Sequence, residues 1–146
     1  MQALLKLLTS WLLLSLLALP AAPSRAADRP TPFVVVAHAS VGRVDAATLQ
    51  RLYTGRAIEV AGVPVTAVNF TSGSALRDRF LAEVVEMPND RYAAYWTVRR
   101  HVGKGVPPRE LKTSADVIDF VQTTPGGLGY IPAGDLRPGL NVIFKP

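Results

Sequence analysis

Ser72-Gly73-Ser74 is the short run whose types and spacing suit anion chemistry. It follows an apolar segment, Val65 to Val68, and precedes helical spacing that begins at Ala75. A strand that turns through Ser-Gly-Ser into a helix presents free backbone amides, two hydroxyls and the positive end of the helix dipole at one point. Gly73 allows close backbone approach. Three residues after Ser74 stands Arg77, so the capping-box acid is missing and a guanidinium takes its place in the first turn. Helical side chains lean toward the N-terminus, which would bring Arg77 toward an oxyanion held at residues 72–74. On this reading Arg77→Ala removes binding and leaves the fold intact. Ser40, after the first apolar run, is the further candidate. The same Ser and Gly residues also serve well as a plain helix cap, and local sequence leaves both roles open.

Other chemistries lack their residues. There is no Cys, hence no thiolate nucleophile, thiolate metal site or disulfide. No G-x-x-x-x-G-K-[ST], G-x-S-x-G or S-x-x-K occurs. Gly103-Lys104-Gly105 runs into Pro107-Pro108 rather than a helix. His38 and His101 are the only histidines, and neither has a second ligand at metal spacing. No carboxylate pair is evident. The expectation is a non-enzyme with neither cofactor nor metal.

The elements that must position the turn alternate. Phe33 to Ala39 is a β-branched apolar run, expected as a strand covered on both faces and so in a parallel sheet. Asp45 caps a helix carrying Ala46, Leu49, Leu52 and Tyr53, which Gly55 ends. Residues 64–68 form the second strand and 74–86 the second helix, with Leu76, Phe80 and Val84 inward. Pro88-Asn89-Asp90 opens a third helix whose Tyr92, Tyr95, Trp96 and Arg99 are packing residues. Residues 103–108 are a loop. Ser114 caps a helix to Gln122. The Gly-rich stretch 125–134 leads into a strand at 128–131, and residues 140–144 form the last strand. Strands alternating with helices define an α/β domain with a mainly parallel or mixed sheet and helices on both faces.

The chain has 146 residues, room for one domain. Residues 1–26 read as a secretory signal peptide: Lys6, an apolar stretch from 7 to 20, then small residues. Cleavage is expected after Ala26, with Ala22 as the second candidate. The apolar stretch is shorter than the ~20 residues of a spanning helix. Residues 27–32 read as a mobile leader and 33–146 as the single domain. From Ala27 onward there are 14 Lys and Arg against 11 Asp and Glu, a net +3. That balance suits small anions and is too weak for nucleic acid.

Four stretches in order, LQRLYTGR, VPVTAVNFTSGSALRDRFL, YWTVRRHVGKGVPP and TPGGLGYIPAG, resemble the substrate-binding proteins of phosphate ABC importers, in their short single-lobe form. The resemblance spans Phe33 to Phe144. It implies a three-layer single lobe of a type II periplasmic-binding-protein-like fold, export to the periplasm, and phosphate or a similar small oxyanion as ligand. An ABC permease or a membrane sensor would be the partner. In that family a Ser-Gly-Thr turn at a helix N-terminus grips phosphate, matching Ser72, Gly73 and Ser74. The family often carries an Arg shortly before that turn. Here the region reads Val68-Asn69-Phe70, so Arg77 is the guanidinium left for the role. Full-length members close two lobes on the ligand, and this chain has room for one. The alternative is a lobe that has become a protein-interaction or sensory accessory domain.

Overall fold

The computed structural model describes residues 31–146; the expected signal peptide and residues 27–30 of the expected leader lie outside them. Thr31 and Pro32 are tied to the domain: Pro32 O accepts Ala133 N–H at 2.8 Å and Thr31 O accepts a hydrogen bond from Arg79.

The elements run β1 (Phe33–Ala37), α1 (Ala46–Tyr53), β2 (Glu59–Val60), β3 (Val63–Pro64), β4 (Thr66–Phe70), α2 (Ala75–Phe80), α3 (Asn89–His101), β5 (Arg109–Leu111), α4 (Ser114–Thr123), β6 (Gly127–Pro132) and β7 (Asn141–Phe144). A π-type turn, Leu81–Val85, prolongs α2. Five strands form one sheet in the order β5-β4-β6-β1-β7, and β2 and β3 make a separate hairpin. The sheet is mixed. β4 runs parallel to β5 and β6, whereas β1 runs antiparallel to β6 and β7.

β1 is buried at every position, as its unbroken apolar run requires. The inference from that run to parallel pairing fails, because burial on both faces demands cover and not a strand direction. The cover comes from both sides. Tyr130 of β6 stacks on Phe80 with ring centroids 3.9 Å apart and lies within 6.4 Å of Phe33, Tyr53 and Phe70. Its neighbour Gly129 points to the opposite face, where a Cβ would meet Val117 of α4 at 2.6 Å. Val117, Ile118 and Val121 of α4 are buried.

Local chemistry sets the ends. Asp45 accepts Thr48 N–H at 2.8 Å as the N-cap of α1. The cap of α4 is Thr113 rather than Ser114. Its hydroxyl accepts Asp116 N–H at 3.1 Å while the Asp116 carboxylate accepts Thr113 N–H, also at 3.1 Å, forming a capping box. Two elements lie beyond the expectations. The β2–β3 hairpin turns through Ala61 and Gly62, both at positive φ, as a two-residue primed turn needs. β5 is only three residues long, and it brings Glu110 to the end of β4.

Candidate functional site

The turn forms where β4 leaves the sheet. Thr71 N–H donates to Leu111 O at 3.1 Å, which anchors the turn to β5, and Ser74 N–H closes it on Thr71 O at 3.2 Å. Gly73 has φ +88° and is exposed, and a Cβ there would meet nothing within 4 Å. The turn therefore needs glycine for its backbone conformation, not for space.

Both serines of the turn use their oxygens as acceptors. Ser74 Oγ accepts Arg77 N–H at 3.5 Å, the long N-cap bond of α2. Ser72 Oγ accepts from Asn89 Nδ2 at 3.0 Å, which ties the turn to the start of α3. A hydroxyl whose oxygen is engaged inward keeps its own proton for an outside acceptor. The bonds that shape the turn use the N–H groups of Thr71, Ser74, Arg77 and Asp78; those of Gly73 and Ala75 stay outside this set. The turn thus offers two hydroxyls and two amides as donors, with the exposed Asp78 carboxylate in the same first turn of α2.

Arg77 lies elsewhere than expected. Its residue is 5% exposed and its guanidinium turns inward under the end of β4. Nη1 donates to Phe70 O at 2.7 Å and to Glu110 Oε1 at 2.5 Å, and the group lies 5.9 Å from the centroid of the Tyr92 ring. Nε is buried without a partner. Through Nη1 the guanidinium is held by two protein acceptors. Its role is to fasten α2 to β4 and β5. The inward turn depends on Glu110 of β5, a partner that the local spacing around Arg77 does not announce.

Ser40 also lies apart from the turn. Because β1 is antiparallel to β6 while β4 is parallel to it, Ala37 and Ala67 both pair with Leu128, at the end of the sheet away from Phe70. The two loops are separated by at least the roughly 10 Å of strand between Ala67 and Phe70. Ser40 has local partners instead: its Oγ is 2.8 Å from His38 Nδ1 and accepts Gly126 N–H at 3.3 Å. His38 lines a 260 Å³ cavity with Gln122 and Asn141 on that side.

Behind the turn lies a polar network that sequence reasoning missed. Asn69 is buried, and its Oδ1 accepts from Tyr130 OH, which in turn accepts Phe70 N–H at 3.3 Å. Tyr53 OH donates to Val68 O at 2.8 Å, and Tyr92 OH donates to Tyr53 O at 2.7 Å. Burial pushes all three phenols upward, Tyr92 to about 12. The network fixes the last three residues of β4 and therefore the position of the turn. The last three residues of β4 are all buried, and nothing local to Asn69 announces its tyrosine partner 61 residues away.

The described residues thus fold as one α/β lobe, a five-stranded mixed sheet with helices on both faces. It is similar to part of an ABC-type phosphate transport receptor from Vibrio cholerae, with a TM-score of 0.59 at 15% identity over 77% of this chain and 45% of that one. It is also similar to a putative phosphate ABC transporter substrate-binding protein with bound phosphate from Clostridium perfringens, with a TM-score of 0.56 at 16% identity over 77% and 44%. The chain thus spans less than half the length of these proteins, and the likeness is one of fold. No family model and no curated protein matches the sequence. Among the described residues, no helix is long and apolar enough to cross a membrane and no group of three or more His, Asp or Glu could hold a metal ion.

Proposed function

We propose that the protein is a non-catalytic oxyanion-binding protein of the periplasm that takes phosphate at Ser72, Gly73 and Ser74. The carrying observation is the turn itself: two hydroxyls engaged only as acceptors on the inside, a glycine at positive φ, and amides outside the turn's own bonds. The fold neighbours support the choice of phosphate, since both are named for its transport and one holds it. Arg77 contributes from behind, as a buried cation whose charge Glu110 largely balances. Ser40 takes no part. The signal-like residues 1–26 support export, and an ABC permease or a membrane sensor of phosphate is the partner that this reading calls for.

The test is thermal unfolding of the purified protein, first stripped of bound anion by unfolding and refolding. Phosphate is compared with sulfate and chloride at matched ionic strength. Phosphate at a hundred times its dissociation constant adds about 2.7 kcal/mol. A phosphate-specific rise in Tm supports the site. No rise up to millimolar phosphate sinks it.

A second reading has its own observation. Ile58 and Val106 stand out on the surface at 74% and 70% exposure. They suit a lobe that docks onto another protein, whether or not it holds an anion.

A further inference from the structure

A groove of 370 Å³ opens at the far end of β4 from the Ser72–Ser74 turn, between the loop after α1 and the loop before β5. Its floor includes Leu52, Val65, Ala67 and the Trp96 ring, and its two rims carry Ile58 and Val106. Both rim residues are aliphatic and mostly exposed. None of the residues lining the groove is acidic, and Arg109 closes one end.

The walls are built and held. Arg99 Nη2 donates to Gly55 O at 3.1 Å on one side and to Lys104 O at 3.0 Å on the other, which latches the two loops together. The same guanidinium packs 5.6 Å from the ring centroids of both Tyr95 and Trp96. Gly55 sits so close to the indole that a Cβ would lie 2.8 Å from Trp96 Cη2. The groove is a fixed depression rather than a gap between loose loops.

We propose that this groove docks an acidic segment of a partner protein, with one large apolar side chain seated over Trp96 and flanking Asp or Glu residues meeting the basic rim. Charge selects the occupant. Arg109 lines the groove with its guanidinium 5.2 Å from the centroid of the Phe120 ring, and Arg56 and Lys104 are exposed on the two loops that wall it, against one exposed acid there, Glu59. A second copy of this chain would bring the same basic rim and be repelled. A membrane would be met by a protruding apolar tip, whereas this site is concave and sized for a side chain. Among the described residues β5 is an edge strand with β4 as its one neighbour, so an extended segment beside Pro108 and Arg109 would also find a strand edge to run along. The groove and the anion turn sit at opposite ends of β4, so one can be filled without the other, and the failure of either reading leaves the other standing.

The test uses the purified protein and a phage-displayed library of random linear peptides. The expected outcome is enrichment of sequences in which Leu, Phe or Trp is flanked by Asp and Glu. A synthetic peptide of the enriched sequence shifts the Trp96 indole and the Ile58 and Val106 methyl resonances. Val106→Glu, at an exposed position that leaves the fold unchanged, weakens that peptide at least tenfold. Arg109→Glu weakens it as well and favours the lysine-for-acid version. The proposal is overturned if no acidic consensus emerges, or if the enriched peptide binds both variants as well as the parent. It is equally overturned if Val106→Glu instead abolishes self-association in sedimentation or binding to phosphatidylglycerol vesicles.

Discussion

Arg77 and Glu110 form an ion pair at 2.5 Å that joins the first turn of α2 to the edge strand β5. The Arg77 side chain is 6% exposed and the Glu110 side chain 44%. That asymmetry separates the effects of the two partners. Removing Arg77 leaves Phe70 O without its buried donor, while Glu110 stays partly solvated. Arg77→Ala therefore lowers stability by about 2 kcal/mol, read from urea unfolding, instead of leaving the fold intact. Glu110→Gln keeps an acceptor beside Nη1 and deletes a negative charge near the Ser72–Ser74 turn. If the Ser72–Ser74 turn holds phosphate, calorimetry with Glu110→Gln should show it bound several-fold more tightly than by the parent. Unchanged affinity would mean that the pair has no electrostatic reach to the turn.

This pair also marks where sequence reading stopped. The apolar runs of β1, β4 and β6 and the spacing of α1, α3 and α4 were legible, because burial imposes periodicity on the chain. The Ser-Gly-Ser turn was legible because its residue types have local causes. Strand direction was not. Antiparallel pairing of β1 with β6 depends on the long-range path, and it alone places Ser40 at the end of the sheet away from the Ser72–Ser74 turn. β5 was invisible at three residues, and with it the acceptor that turns Arg77 inward. The Asn69–Tyr130 bond joins residues 61 apart, a distance at which no sequence pattern operates.

The buried phenols predict an alkaline limit. Tyr92 ordinarily titrates at 10.0, and burial raises it to about 12 in the folded protein; burial raises Tyr53 and Tyr130 too. Above 10 the unfolded chain releases protons that the folded one retains, so rising pH favours unfolding. The stability tied to Tyr92 is complete below 10 and is lost as pH climbs toward 12, at about 1.4 kcal/mol per pH unit. Phenolate absorbance from these three tyrosines should therefore appear together with loss of circular dichroism, in one transition. Tyr92→Phe should make the alkaline fall in stability shallower. Phenolate absorbance from these tyrosines in protein that is still folded would contradict the account.

Gly126 fixes how β6 enters beside β4. It has φ +73°, and a Cβ there would lie 2.0 Å from Pro64 O. Its carbonyl accepts Thr66 N–H at 2.9 Å, so the contact cannot relax without breaking the first β4–β6 bond. Gly126→Ala should cost about 3 kcal/mol, from overpacking together with a strained backbone. Gly134, where a Cβ would meet nothing within 4 Å, is the control: Gly134→Ala should stay within about 0.5 kcal/mol of the parent. Equal effects in the two variants would show that the close approach at Pro64 does not limit stability.

The two serines of the turn should separate binding from folding. Ser74 Oγ is the N-cap of α2, but its bond to Arg77 N–H is long at 3.5 Å. Ser74→Ala therefore lowers stability by about 0.5 kcal/mol, at the weak end of capping effects. Ser72 is exposed and holds only the Asn89 amide, so Ser72→Ala should leave Tm unchanged. If the turn holds phosphate, each variant also removes one hydroxyl bond to a charged ligand, worth about 1.5 to 3 kcal/mol, or roughly tenfold to a hundredfold in affinity. Ser40→Ala should not change phosphate affinity, since its hydroxyl faces His38 and Gly126 at the other end of the sheet. Phosphate titrations of the three variants, each paired with a melting curve, check the pattern. Binding lost in Ser40→Ala and kept in Ser72→Ala would move the oxyanion site to the His38 end of the lobe.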